Sequence, residues 1–429
     1  MTHTNAKTGV TLEIDSLSYG PYGIGRLDGK AVMIPHTAPG DTVEARLVES
    51  KERFAIGEAL RIVNPASVRQ TPPCPYVGAC GGCSWQHVRY DAQLRAKQQS
   101  VEDALRRIGK LDAFELRPII PSPVEYHYRR RIRLQISSSG TLGFYGASSH
   151  QLVEIDSCLI ADDRLNGVLQ TIRHWMRDVR TSLQDLEIVS GDEPNQVVVV
   201  ARAPDQFLPS DAPVCENLVG ENRSLQGLIM SGNNWRKVWG QPVISVKLID
   251  DLSLTVDADV FTQVNPDGNR RILDELLRLG DFQTHDRVLE LYCGAGNFTL
   301  PIAQRSREVV AVEGDRPSIA NGKLNARKNG LENIRWICSP VSTAVAQLQK
   351  RKEKFTKIIL DPPRSGAKGI EVHLAALGAD RIIYVSCNPT TLARDLAALA
   401  KQGYKPKLIQ PIDLFPQTFH VETLAIVER

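Results

Sequence analysis

The sequence predicts a multi-domain α/β protein, and three observations carry that prediction. Five short apolar strands between Val288 and Ser386 alternate with helical patterns, the way parallel strands joined by crossover helices read. Between Leu12 and Ile62 lies a turn-rich run of alternating residues, the pattern of a small barrel. At 429 residues the chain is too long for one ordinary domain. The expected division is a barrel over 1–68, a middle α+β domain over 69–260 and a doubly wound α/β domain over 261–429, with residues 91–122 packing on the last of these.

A hydrophobic fraction of 42% and a charged fraction of 24% are those of a soluble globular protein and exclude a disordered chain. The longest aliphatic run, residues 197–201, is far too short to span a bilayer, and no apolar run follows a basic start. A cytoplasmic protein with no membrane contact is expected, and no obligate protein partner is evident. With 52 Lys and Arg against 49 Asp and Glu, the net charge is only +3, so a polyanion must be met by a local patch. Eight cysteines without a secretion signal read as thiols, metal ligands or a nucleophile before disulfides.

In the barrel, segments such as Ala31-Val32-Met33-Ile34 and Thr42-Val43-Glu44-Ala45 alternate, and Pro39-Gly40-Asp41 supplies a turn. The run from Gly23 to Lys30 is not a phosphate loop: its glycine spacing is wrong and Ala31 stands where Ser or Thr is needed. The module resembles the TRAM domain, an OB-like barrel that binds RNA, and RNA is the partner this resemblance implies.

Thr71-Pro72-Pro73 marks a boundary, because consecutive prolines continue neither regular element. Cys74, Cys80 and Cys83 follow within ten residues, interleaved with glycines that let the backbone wrap a metal centre. Cys158 is the best fourth ligand: Cys293 and Cys387 lie in other motifs, and Cys215 and Cys338 have no evident partner. All-thiolate ligation fits zinc or an iron–sulfur cluster, and spacing does not choose between them. A helix is expected from Tyr90 to Lys110, with Leu94, Val101, Ala104, Leu105 and Ile108 at helical spacing. Beyond a proline cluster, the next strand places Ile132, Leu134 and Ile136 on one face and Arg131, Arg133 and Gln135 on the other; with Arg129 this makes a basic, aromatic-flanked ridge suited to RNA. From there to Val260 the pattern is α+β and says little about chemistry.

Asn265 is a good helix N-cap, Pro266 suits the first helical position, and Gly280 is the stop. Strands then end in a rim of reactive residues, the pattern of a Rossmann-like sheet whose ligands sit at the carboxyl ends of its strands. After Leu291 comes Tyr292-Cys293-Gly294-Ala295-Gly296-Asn297, and a second strand ends in Glu313, placed to accept ribose hydroxyls; together they suggest an adenosine-type cofactor. Asp361 and Arg364 end another strand, and Cys387 another. The helix start that follows Cys387 is expected to favour the thiolate, placing this residue for nucleophilic attack. Glu422 heads a final strand and, on its own, reads as a surface carboxylate.

Phe261-Thr262-Gln263-Val264-Asn265, the glycine loop, Asp361-Pro362-Pro363-Arg364, Ser386-Cys387-Asn388-Pro389 and His420-Val421-Glu422 together resemble the RNA 5-methyluridine methyltransferases that use S-adenosylmethionine. The match spans the chain in motif order and is nearest to the 23S rRNA enzymes. It implies a 4Fe-4S cluster on Cys74, Cys80, Cys83 and Cys158, and a cofactor and base site lined by Gln263, Tyr292, Asn297, Glu313 and Asp361. It also implies Cys387 as a nucleophile at carbon 6 of uracil and Glu422 as the base that removes the carbon-5 proton. One departure is Ile337-Cys338-Ser339-Pro340, where an acidic or polar side chain commonly meets adenine; that contact is unassigned. The rival readings are a tRNA substrate, an amino-group methyltransferase, whose Asp-Pro-Pro signature continues with an aromatic where Arg364 stands, and a non-catalytic RNA-binding redox sensor.

Overall fold

A computed structural model of the chain describes residues 9–147 and 149–429. Five strands, β1 (Val10–Leu17), β2 (Tyr22–Leu27), β3 (Lys30–Pro35), β4 (Thr42–Ser50) and β5 (Phe54–Asn64), close into a barrel in the order β1-β2-β3-β5-β4. Closure leaves one face of each strand inward, so alternate residues Leu12, Ile14, Val32, Ile34, Val43 and Ala45 are buried. Leu17 and Ala38 at its base pack on Trp85, Val88 and Ala92, and Arg69 pairs at 2.5 Å with Asp41, whose side chain is fully buried.

Helix Tyr90–Asp103 widens into a π-helix over Ala104–Ile108, the span expected to be one regular helix. It buries Val101 and Leu105 in the core of the C-terminal sheet, and Lys97 forms a 2.6 Å ion pair with Asp413, both side chains fully buried. The short β6 (Glu115–Leu116) then joins the far edge of that sheet.

A seven-stranded middle sheet follows, made of β7 (Arg131–Ile136), β8 (Leu142–Tyr145), β9 (Leu152–Glu154), β10 (Asp185–Ser190), β11 (Val197–Arg202), β12 (Gly227–Gly232) and β13 (Trp235–Gly240). Its order is β13-β12-β11-β10-β7-β8-β9. One face packs on the helices, through Ile172, Trp175 and Leu218. The other face is continuous with the C-terminal core: Val198, Val200 and Ile229 share a buried cluster with Ile272 and Leu276 of helix Pro266–Gly280. A hairpin, β14 (Val243–Lys247) and β15 (Ser253–Asp257), sits between them.

The outer edge of β15 is covered in an unusual way. Side-chain oxygens of Asn321, Asn325 and Asn329 accept from the backbone N–H groups of Asp257, Thr255 and Ser253 at 3.0, 2.8 and 3.3 Å. Four helical residues advance about 6 Å and two strand residues about 6.8 Å, so helix Arg316–Lys328 with its C-cap Asn329 matches the strand's spacing and satisfies its free donors.

The C-terminal sheet holds β16 (Arg287–Leu291), β17 (Glu308–Glu313), β18 (Ile334–Cys338), β19 (Lys357–Leu360), β20 (Arg381–Ser386), β21 (Lys405–Ile412) and β22 (Glu422–Glu428). Its order is β18-β17-β16-β19-β20-β22-β21-β6, parallel from β18 to β20 and antiparallel across β22. The order reverses beside β16, which opens a crevice at the carboxyl ends of β16 and β19. Asn265 caps its helix by accepting from the Gly268 N–H at 2.9 Å. No helix among the described residues is long and apolar enough to cross a membrane.

Candidate active site

The glycine loop leaves β16 under strain. Tyr292, at φ +65°, occupies a left-handed conformation that a non-glycine residue adopts reluctantly, and Gly294 and Gly296 follow at +54° and +99°. A Cβ added at Gly294 would meet no atom within 4 Å, so the backbone there faces open space. Glu313 turns toward this loop: one carboxylate oxygen accepts from the Gly294 N–H at 3.1 Å, the other from Gly314 and Asp315 at 2.7 and 2.9 Å. Asn297 and the buried Asn269 exchange amide hydrogen bonds of 2.8 and 2.9 Å, a lock that the sequence reading missed. Gln263 is half-buried just before the Asn265 cap. Glu290, on the strand leading into the loop, is 1% exposed and has one carboxyl oxygen without a hydrogen-bond partner. Burial pushes its pKa up to about 8, and the nearby Asp361 and Glu313 add to the effect.

Across the crevice stand the other strand ends. Asp361 keeps part of its surface open, yet the protein mass around its carboxyl pushes its pKa up to about 7. Cys387 follows the last ladder pair of β20 with β22, Ser386 opposite Thr423. Asn388 then caps helix Pro389–Lys401 by accepting from the Thr390 N–H at 3.0 Å, and its amide donates to the Arg364 carbonyl at 3.3 Å. Glu422, 5% exposed at the head of β22, completes the rim. Burial, with Asp361 nearby, holds its pKa well above the ordinary carboxylate range, against the pull of Arg364. It is a buried acid, not the surface charge that its sequence context suggests.

The thiol does not behave as its helix start suggests. Burial pushes Cys387 up to about 11; the Glu422 and Asp361 carboxylates add to the shift, while Arg364 and a backbone hydrogen bond oppose it. Desolvation at the cleft floor outweighs the helix terminus, so the free protein holds a protonated thiol at neutral pH. Two further residues stand at the site without a role assigned from the sequence. His420 lies 3.4 Å from the Arg364 guanidinium and 4.2 Å, ring to ring, from Phe419. Burial, then Arg364, Lys97 and Arg129, lower its pKa to about 4, so it is neutral. Tyr19, from the N-terminal barrel, donates to the Cys387 carbonyl at 2.9 Å.

The four cysteines expected to hold a metal are gathered far from these strands in sequence but around one space. Cys74, Cys80, Cys83 and Cys158 line a common cavity of about 190 Å³ together with Arg129. Gln86 accepts from the Cys74 N–H at 3.3 Å and Asn166 from the Cys158 N–H at 2.8 Å. Burial pushes Cys83 up to about 12, and the other three thiols add to it. Among the described residues, no three His, Cys, Asp or Glu side chains converge closely enough to hold one metal ion.

The arginine ridge is mostly neutralised. Arg131 pairs with Glu187 at 2.6 Å and donates to the Ala258 and Val260 carbonyls, while Arg133 reaches Asp185 and Glu187 at 3.1 and 3.2 Å. Strand β10 lies antiparallel to β7 with Glu187 opposite Arg133, so acidic side chains share the basic face. Among the described residues Arg129 makes no such pair: its Nε donates to the Arg131 carbonyl at 2.9 Å.

Glycine turn, reversed strand order and rim acids define a class of protein, a Rossmann-type methyltransferase. Residues 89–429 match the family described as tRNA (Uracil-5-)-methyltransferase, and residues 8–60 match the TRAM domain. Relatives include the 23S rRNA (uracil(1939)-C(5))-methyltransferase RlmD of Mannheimia succiniciproducens, 33% identical over 97% of this chain and 95% of that one. The protein of the same name from Aeromonas hydrophila is 32% identical over 98% and 96%. The Pyrococcus abyssi tRNA (uracil-54, C5)-methyltransferase, solved with S-adenosyl-L-homocysteine, shares the fold, with a TM-score of 0.74 at 23% identity over 97% of this chain and 100% of that one. The chain belongs to the RNA uracil-5-methyltransferase family and is an S-adenosylmethionine-dependent enzyme of that family with an N-terminal TRAM domain.

Proposed function

We propose that this enzyme methylates carbon 5 of one uridine in 23S rRNA through a transient bond between the Cys387 sulfur and carbon 6 of the base. The observation behind the reading is that Cys387 and the buried Glu422 stand at neighbouring strand ends of one cleft, close enough for Glu422 to bias the thiol. The substrate is taken from the names of the Mannheimia and Aeromonas relatives.

Carbon 5 of uracil is a poor nucleophile. Cys387, a protonated thiol in the free protein, gives its proton to solvent and adds as thiolate at carbon 6, which breaks the C5–C6 π bond and leaves an enolate, rich in electrons at carbon 5. S-adenosylmethionine supplies an electrophilic methyl group from its sulfonium. Once carbon 5 carries the methyl and S-adenosylhomocysteine has formed, Glu422 in its ionised form, a stronger base for its raised pKa, takes the remaining carbon-5 proton, the C5–C6 double bond re-forms and Cys387 leaves as thiolate. Gly294 and Gly296 give the cofactor a close backbone approach, and Gln263, Tyr292, Asn297, Glu313 and Asp361 line its site with the target base. The open space at Gly294 and the orphaned Glu290 oxygen suit a polar ligand there.

A 4Fe-4S cluster on Cys74, Cys80, Cys83 and Cys158 is the group that the family resemblance implies, and the all-thiolate lining of their shared cavity has the donor chemistry for it. There it would staple residues 74–83 to Cys158 and fix Arg129 as an RNA contact. The barrel, middle and catalytic domains are proposed at 1–68, 69–260 and 261–429, with 91–122 belonging to the catalytic body, and the site of action is the cytoplasm.

Incubating an unmethylated 23S rRNA transcript with labelled S-adenosylmethionine should give 5-methyluridine at one position by mass spectrometry, and Cys387→Ala should give none. Product from Cys387→Ala would sink the covalent route. Anaerobic protein should carry iron and sulfide; a colourless preparation with stoichiometric zinc would reject the cluster.

A further inference from the structure

We propose that Tyr19, in the N-terminal barrel, is a positioning residue for the Cys387 sulfur, so that the barrel completes the catalytic cleft. The proposal rests on the reading of Cys387 as the nucleophile. Tyr19 lies in the turn between β1 and β2, a turn that Ser18 makes rigid. The Ser18 N–H and hydroxyl both donate to the Tyr22 carbonyl, at 2.9 and 3.0 Å, and the Gly20 N–H returns to the Ser18 carbonyl at 2.8 Å.

From that turn the Tyr19 hydroxyl reaches 368 residues along the chain to donate to the Cys387 carbonyl at 2.9 Å. This carbonyl sits where the backbone has little else to hold it. Cys387 is past the last β20–β22 pair and before the Asn388 cap, and Pro389 offers no N–H. Fixing the carbonyl fixes the peptide plane from Cys387 to Asn388. The N–H of the same peptide unit, on Asn388, donates to the Ser386 hydroxyl at 3.2 Å, so this plane is held at both of its polar atoms. With this plane fixed after Cys387 and the Ser386–Thr423 ladder pair just before it, the backbone that directs the Cys387 side chain is restrained on both sides.

The same ring touches the segment that carries the base. Tyr19 meets Phe419 edge-on, with centroids 5.5 Å apart, and Phe419 lies against His420, two residues before Glu422. Burial first, then Cys387 and Glu422, keep the hydroxyl protonated, so it remains a donor while the thiol titrates. One side chain of the RNA-type barrel thus contacts the nucleophile's backbone and the loop that leads to the base.

The test uses the full-length protein with Tyr19→Phe, which keeps the ring and removes only the donor. The readouts are the rate of covalent adduct formation with a 5-fluorouridine-substituted 23S rRNA transcript, kcat and KM for unsubstituted transcript, and the thermal midpoint. Expected is a fall of about 3- to 10-fold in adduct rate and kcat, the worth of one hydrogen bond, with KM and thermal midpoint unchanged. Tyr19→Ala, which also removes the contact with Phe419, should fall further in kcat. A Tyr19→Phe protein with wild-type adduct rate and kcat overturns the proposal, as does one that changes only KM, which would make Tyr19 an RNA contact. If wild type itself forms no adduct, the nucleophile reading fails and this proposal falls with it. An adduct in wild type with unchanged Tyr19→Phe rejects the positioning role alone.

Discussion

In the free protein, the reactivity of Cys387 toward iodoacetamide should climb with pH and show no plateau near neutrality. With its pKa pushed up to about 11, the thiolate fraction at pH 7 is on the order of 10⁻⁴ and rises about tenfold per pH unit. Burial is the largest cause, and the carboxylates of Glu422 and Asp361 add to it. Arg364 acts in the opposite direction, so Arg364→Met should move the whole profile to higher pH. Alkylation would be followed at pH 7 to 10 without RNA or cofactor, with Cys387 resolved from the other seven cysteines by peptide mass spectrometry. A log-linear rise over that range is expected. Reactivity that levels off below pH 8 would mean that the helix start at Pro389 prevails over desolvation, and the electrostatic account of the cleft would be wrong.

Replacing Glu422 with Gln should let a covalent complex accumulate on ordinary uridine-containing transcript, because elimination lacks its base; an adduct seen only with 5-fluorouridine would argue against that role. Lys97→Met leaves Asp413 buried with the Tyr90 hydroxyl and the Phe415 N–H, both at 2.9 Å, as remaining donors, so a loss of about 3 kcal/mol is expected in urea unfolding. Adding Asp413→Leu should recover most of it, and a single variant that loses less than about 1 kcal/mol would show the pair to be dispensable. Asn325→Ala removes the central acceptor for β15 and should destabilise by about 1–3 kcal/mol, with faster amide exchange at Thr255; unchanged exchange there would contradict the ladder.

Much of the catalytic sheet was legible because each strand is a run of apolar residues bounded by a turn, and the reactive residues stand where the runs stop. Ile358 to Asp361 and Ile382 to Cys387 announce themselves in this way. What was not legible depends on partners supplied by other strands. The pKa of Cys387 is set by burial and by carboxylates on β19 and β22, and no local window contains them. Arg131 and Arg133 look like a free basic face until β10, some fifty residues on, places Asp185 and Glu187 across from them. Tyr19 reads as a barrel turn, since nothing near it indicates a carbonyl 368 residues away. The amides of Asn297 and Asn269 were both visible, but their pairing depends on how a helix lies against a loop.

The buried pairing of Lys97 with Asp413 joins residues 316 apart, and it has a consequence for the newborn chain. A ribosome adding about 5–20 residues per second makes the Tyr90–Asp103 helix wait roughly 15–60 s for its partners to emerge. During that interval an amphipathic helix with Val101 and a lysine meant for the interior is left uncovered. The helix of residues 90–103 therefore cannot complete its buried ion pair until the strand that leads to Asp413 has been made.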